Sequence, residues 1–211
     1  MPSQVLVVDD HPLFREGICR LLERDPRLKV SGEVGSAGEA LEIARTQAID
    51  LAIIDLVLPT GSGGGVTLTQ RLKQARPRCR VLGLSVHDDP THVAAMLRAG
   101  ADGFAFKTQK GAEILDAIQT VLGAKRYLPP AIDAGQVMRL ATSREATPLE
   151  RLTQREREVF ELLVAGESNE GVAGRLCIAR RTVETHRQNI MKKLEVSSIA
   201  ELVRLSFQLG A

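Results

Sequence analysis

Asp55 closes the apolar run Leu51-Ala52-Ile53-Ile54, and Pro59 follows four residues later, ahead of Thr60-Gly61-Ser62-Gly63-Gly64-Gly65. An apolar run bounded by a turn signal reads as a buried strand. The Asp55 carboxylate then falls at the rim of a sheet, half in solvent. Near the start of the chain Val5-Leu6-Val7-Val8 runs into Asp9-Asp10. Three carboxylates on two strand ends supply hard oxygen ligands and a nucleophile in one place.

Two further polar residues join them. An apolar run over Val81 to Leu84 ends in Ser85, and another over Gly103 to Phe106 is followed at once by Lys107. A hydroxyl, an ammonium and three carboxylates suit phosphoryl chemistry. Asp9 and Asp10 would hold Mg²⁺, Asp55 would attack in line to form an acyl phosphate, and Lys107 and Ser85 would bind its oxygens. Each residue alone has a plainer reading: Asp-Asp after a strand is usually a capping turn, and an Asp before a Gly-rich loop is a common turn former. Their joint placement, each at a strand end and in order, has few such explanations.

The elements that must position them alternate. Strands are expected at Val5 to Val8, Lys29 to Val34, Leu51 to Ile54, Val81 to Leu84 and Gly103 to Phe106, with segments of helical spacing between. Pro12 suits a first helical turn, and Ser36 with Glu39 forms a capping-box signature. Five strands alternating with five helices predict an α/β fold with a five-stranded, parallel, doubly wound sheet. Working residues in such sheets gather at the carboxyl ends of the strands, near the switch point between the first and third.

With 211 residues the chain has room for two domains. The 44% hydrophobic and 26% charged residues are ordinary for a globular protein. No apolar stretch approaches membrane-spanning length and no signal peptide opens the chain, so a cytoplasmic location and no membrane partner are expected. Cys19, Cys79 and Cys177 match no disulfide or metal framework, which fits a reducing compartment. The net charge of +2 is too small to indicate nucleic acid by itself, so its distribution matters.

That distribution is uneven. After a linker over 124–147, with a short helix expected from Ile132 to Leu140, the last segment reads as helical throughout. Thr153 with Glu156 is a second capping box and Gly166 a helix stop. Helices over Asn169 to Leu176 and Arg180 to Leu194, joined by Cys177-Ile178-Ala179, have the helix-turn-helix layout. Ser198 with Glu201 opens one more helix. Within the second helix of the pair, Arg180, Arg181, Arg187, Lys192 and Lys193 face one acid, Glu184, while Val183, Ile190 and Leu194 supply a buried stripe. A solvated face of a helical bundle is the plainer alternative for such a basic helix; the tight turn favours a DNA duplex.

Residues 1–123 resemble a response-regulator receiver domain, through Val7-Val8-Asp9-Asp10-His11-Pro12, Asp55-Leu56-Val57-Leu58-Pro59 with Gly63, Leu84-Ser85, and Gly100-Ala101-Asp102-Gly103-Phe104 leading to Lys107. Residues 148–211 resemble a LuxR-type helix-turn-helix, through Leu152-Thr153-Gln154-Arg155-Glu156-Arg157-Glu158-Val159, Gly166, Ser168-Asn169, Ala173, Leu176, Thr182-Val183-Glu184-Thr185-His186-Arg187, Ile190 and Lys193-Leu194. Together they resemble a NarL/FixJ-family regulator along nearly the whole chain. The resemblance implies a flavodoxin-like receiver fold, a phosphoryl group taken on Asp55 from a partner histidine kinase, and a backbone carbonyl of Val57 on Mg²⁺. It implies that Ser85 and Phe104 act as a switch, the change spreading to the face of the fourth and fifth helices and favouring a homodimer on double-stranded DNA. Arg180, Arg181, Lys192 and Lys193 are then expected at phosphates, Glu184, Thr185 and Gln188 at base edges, and His186 at either.

Some positions depart from the pattern. Thr108 stands where many receivers have proline and is expected to cap the next helix. Glu184 stands where the family often has lysine; an acid repels phosphates but accepts a hydrogen bond from cytosine. Gly171 and Gly174 inside a helix each cost about 1 kcal/mol relative to alanine, and Ala179 replaces a usual Ser or Thr cap. Two rival readings are a phosphohydrolase, which would need a second acid where Val57 stands, and a DNA binder whose receiver ignores phosphate. A nucleotide-binding enzyme is disfavoured because the Gly-rich loop lacks a following Gly-Lys-Ser/Thr.

Overall fold

The computed structural model describes residues 2–58, 64–86, 89–142 and 148–209. The turn expected at Pro59 through Gly63 lies outside them. The chain divides into two compact units, Met1–Thr142 and Ser143–Ala211.

The first unit alternates β1 (Ser3–Val8), α1 (Pro12–Leu22), β2 (Leu28–Val34), α2 (Ala37–Thr46), β3 (Leu51–Asp55), α3 (Gly64–Ala75), β4 (Arg80–Ser85), α4 (Pro90–Arg98), β5 (Gly103–Phe106) and α5 (Gly111–Leu122). All pairings are parallel, in the order β2-β1-β3-β4-β5. This is the doubly wound, flavodoxin-like arrangement, with its switch point between β1 and β3. Val8 pairs with Ile54, Asp55 with Leu84 and Ser85 with Phe106, so the polar residues that end or follow these strands emerge on one rim.

The strands are apolar on both faces because both are covered. Leu6, Val8, Ala52, Ile54, Phe104 and Phe106 pack with α2, α3 and α4, while Val5, Val7, Leu51, Ile53, Leu84 and Ala105 pack with α1 and α5. Local signals set the helix starts. Pro12 opens α1, Ser36 accepts the Glu39 N–H at α2, and Asp89 accepts the Thr91 N–H at α4. Thr108 does not cap α5, contrary to expectation. The helix begins at Gly111, and Glu113 reaches back to the Lys110 N–H at 2.9 Å.

The residues after α5 continue this unit. Tyr127 bridges Gly103 in parallel at the β5 edge. The short helix expected over 132 to 140 is α6 (Ala134–Thr142); it packs against α4, and Val137 is fully buried in the same core as Phe104.

The second unit has a short 3-10 turn (Pro148–Arg151) and α7 (Gln154–Val164), α8 (Asn169–Leu176), α9 (Arg180–Leu194) and α10 (Ile199–Leu209). Thr153 and Glu156 close the predicted capping box. Gly166 takes φ +86 beyond α7. The tight turn between α8 and α9 starts with Cys177 in the left-handed region, φ 52, and the Ile178 N–H returns to the Ala173 carbonyl at 3.1 Å. Val159, Phe160, Val172, Val183, Ile190, Leu194 and Leu202 form the core.

Candidate functional site

At the end of β1 the Asp9 carboxylate accepts the His11 N–H at 2.9 Å, which turns the chain into α1, and the Asp9 carbonyl accepts Nη1 of Arg15 at 2.6 Å. At the end of β3 the Val57 N–H faces Asp55 Oδ1 at 3.3 Å, and the Gly65 N–H returns to the Leu56 carbonyl at 3.0 Å. That return brings Gly65 against the Asp55 backbone so closely that a Cβ there would collide with the Asp55 carbonyl oxygen. The Lys107 N–H is held by the Ser85 carbonyl at 2.8 Å.

These supports bring the charges together. Lys107 Nζ lies 2.6 Å from Asp9 Oδ2 and 2.7 Å from Asp55 Oδ2, with all three side chains buried. The ammonium also sits 4.7 Å from the centre of the Phe14 ring. Burial pushes the Asp55 carboxyl above its usual range, and the neighbouring Asp9 charge adds to this; the Lys107 ammonium opposes both without cancelling them.

The acidic residues fit a hard cation. Ligand atoms of Asp9, Asp10, His11 and Asp55 all lie within 4.8 Å of one another. Asp9 Oδ2 and Asp10 Oδ1 are buried without a directed hydrogen bond among the described residues, although each has a close nitrogen neighbour: Lys107 Nζ at 2.6 Å and His11 Nδ1 at 2.8 Å. Carboxylate oxygens with spare acceptor capacity, gathered this closely, suit a small divalent ion. Val57 lies in the turn just beyond, 37% exposed.

Ser85 is buried at the end of β4. Phe104 is fully buried, edge-on to Phe106 with ring centres 5.8 Å apart. His11, Phe14 and Arg15 were absent from the sequence-derived site. His11 adjoins Asp10 and was visible as a polar neighbour, but Phe14 and Arg15 reach the pocket only through the turn of α1.

On α9, Arg181, Thr185, Gln188 and Lys192 are all exposed. Their spacing of four, three and four residues puts them in one stripe, opposite buried Val183, Ile190 and Leu194. Glu184 flanks the stripe beside Arg181 and Gln188, whereas His186 lies towards the buried side, beside Val183 and Ile190; both are half-buried. The Thr185 hydroxyl donates to the Arg181 carbonyl at 3.0 Å. Three of the predicted contacts, Lys193, Arg180 and Glu184, are in ion pairs within the unit. Lys193 Nζ bonds to the buried Glu156 at 2.6 Å, and Arg180 bonds to Glu170 at 2.6 Å and Glu184 at 3.0 Å.

Residues 5–119 match the response regulator receiver domain family, and residues 150–206 match the bacterial regulatory proteins of the luxR family. UhpA, a transcriptional regulatory protein of Escherichia coli K12, is 36% identical over 203 residues, covering 96% of this chain and 97% of UhpA. This chain is a NarL/FixJ-family response regulator. The regulator is also 33% identical to the nitrate/nitrite response regulator protein NarP of E. coli K12, over 100% of its own length and 97% of NarP. A solved LuxR-family two-component response regulator from Aurantimonas sp. SI85-9A1 is 32% identical, with a TM-score of 0.61 over 68% of this chain and 100% of that one. The regulator therefore pairs a receiver domain with a LuxR-type DNA-binding domain, and its relatives are transcriptional regulators. Among the described residues no helix is long and apolar enough to cross a membrane.

Proposed function

We propose that the regulator takes a phosphoryl group from a sensor histidine kinase onto Asp55 and that this modification promotes a homodimer which binds promoter DNA through α9. The observation that carries the first half is Lys107 Nζ seated between Asp9 and Asp55. One Asp55 oxygen attacks phosphorus in line, the phosphorus–nitrogen bond of the phosphohistidine breaks, and the imidazole leaves with that electron pair. Lys107 and Ser85 bind the transferred oxygens, and Phe104 follows the Ser85 hydroxyl. Asp9, Asp10, Asp55 and the Val57 carbonyl would hold Mg²⁺, which when bound neutralises charge on the phosphoryl oxygens.

The chain acts as a signal acceptor rather than an enzyme, because Val57 stands where a hydrolase would carry its second acid. Three free cysteines suit the reducing cytoplasm. On the DNA side, Arg181 and Lys192 take phosphates, while Thr185, Gln188 and Glu184 face base edges with His186 beside them. Lys193 is assigned to holding α9 on α7. The domain limits follow the same reading: a receiver over 1–123, a linker over 124–147 whose helix α6 docks back on α4, and the reader over 148–211.

Acetyl phosphate with Mg²⁺ is expected to label the wild type and leave Asp55→Asn unlabelled. Equal labelling overturns the assignment. Duplex binding that is identical with and without acetyl phosphate removes the coupling to DNA.

A further inference from the structure

Arg180, the first residue of α9, is exposed, yet its guanidinium is engaged by two acids. Nη1 meets Glu170 Oε1 at 2.6 Å and Nε meets Glu184 Oε1 at 3.0 Å. Glu170 comes from α8, on the far side of the tight turn; Glu184 lies one turn further along α9. One cation between two acids leaves a net charge of −1 where the start of α9 would otherwise be positive. Glu170, Arg180 and Arg187 all line a cleft at the beginning of α8.

An exposed ion pair adds little to stability, so the value of this arrangement lies elsewhere. The amino-terminal residues of a recognition helix are those that reach base edges. A loose arginine there has a long, flexible stem and phosphates on both sides, which attract it whatever the sequence. An arginine with Nε and Nη1 already engaged has a fixed plane and presents its Nη2 donors in one direction. Its residual charge is also cancelled, which weakens sequence-independent attachment.

Resting on the DNA-binding reading above, we propose that Glu170 is a specificity-determining positioning residue: with Glu184 it clamps Arg180, withholding it from phosphates and aiming its free edge into the groove.

The test uses the full chain treated with acetyl phosphate, one duplex enriched by the wild type from a random pool, and the unselected pool itself. Affinities for both are measured across a salt series. Glu170→Gln is expected to bind the pool more tightly, to steepen the slope of log affinity against log salt by about 0.9, and to reduce the preference for the selected duplex by about tenfold. Unchanged slope and preference overturn the proposal. In an Arg180→Ala background the same Glu170→Gln change is expected to do nothing further; a persisting effect shows that Glu170 acts by another route and also overturns it. Thermal melting that matches the wild type excludes a folding origin for a positive result. If the wild type enriches no duplex, the DNA-binding reading itself falls, and the clamp with it.

Discussion

The Tyr127 carbonyl accepts the Phe104 N–H at 3.0 Å. The first residues beyond α5 are thereby stitched to the edge strand that carries the proposed switch. The Tyr127 hydroxyl takes a second bond, from Gln109 Nε2 at 3.1 Å, and the side-chain Oε1 of Gln109 accepts the Phe106 N–H at 2.8 Å. Tyr127→Phe removes only the hydroxyl. It is expected to lower unfolding free energy by about 1 kcal/mol in urea titration followed by far-ultraviolet circular dichroism, with the native spectrum unchanged.

Lys107 is the cation shared by Asp9 and Asp55. Lys107→Ala leaves only the Val57 N–H to oppose burial and the Asp9 charge at Asp55, so its carboxyl should titrate at still higher pH. Phosphoryl incorporation from acetyl phosphate is expected to drop about a hundredfold, the effect of losing one oxygen-binding donor. Single-turnover labelling measures it.

Phe104 is held inward by a close neighbour. A Cβ on Gly83 would lie 2.8 Å from both Met96 Cε and Phe104 Cδ2. The Met96 end can swing aside, whereas the Phe104 ring is enclosed. Gly83→Ala is expected to cost about 1–3 kcal/mol as an overpacked core, read from denaturant midpoints at constant m-value.

At the opposite rim of the sheet, Asp102 binds Lys73 at 2.6 Å, Arg80 at 2.7 Å and the Val81 N–H at 2.9 Å. Burial raises this carboxyl, but Lys73, Val81 and Arg80 together outweigh it and hold it below the usual range. A depressed native value means that the stabilisation is present above the unfolded value of 3.8 and is lost as pH falls through the native one. Asp102→Asn is therefore expected to cost about 2 kcal/mol at neutral pH, less than for a fully buried pair. The gap from wild type should close in urea titrations below about pH 4.

The exposed stripe of α9 gives a prediction about salt. Arg181→Ala and Lys192→Ala are each expected to reduce the salt slope of duplex binding by about 0.9 while leaving sequence preference intact. A change in preference with no change in slope would move that residue to the base-reading set.

Much of this was legible in the sequence because the signals are local. Apolar runs closed by Asp9, Asp55, Ser85 and Lys107 marked the strand ends, and parallel pairing then had to collect them on one rim. Ser36, Thr153 and Ser198 each announced a helix by pairing with an acid three residues on. The rest depends on partners distant along the chain. Glu156 and Lys193 are 37 residues apart, and Glu170 and Arg180 ten. Counting charge along α9 therefore could not tell an engaged cation from an available one. The single-residue bridge at Tyr127 has no periodicity to detect, and α6 reads equally well as a linker helix or as a lid on α4. Thr108 was a reasonable cap until Glu113 proved able to reach the Lys110 N–H.

Glu156 accepts from the Thr153 N–H, the Thr153 hydroxyl and Lys193 on a single oxygen. One atom thus ties the first turn of α7 to the last turn of α9. Tilting the reading helix by itself would fray its neighbour, so the bundle must approach a groove as one stiff body, and any signal that redirects it has to turn the whole reader.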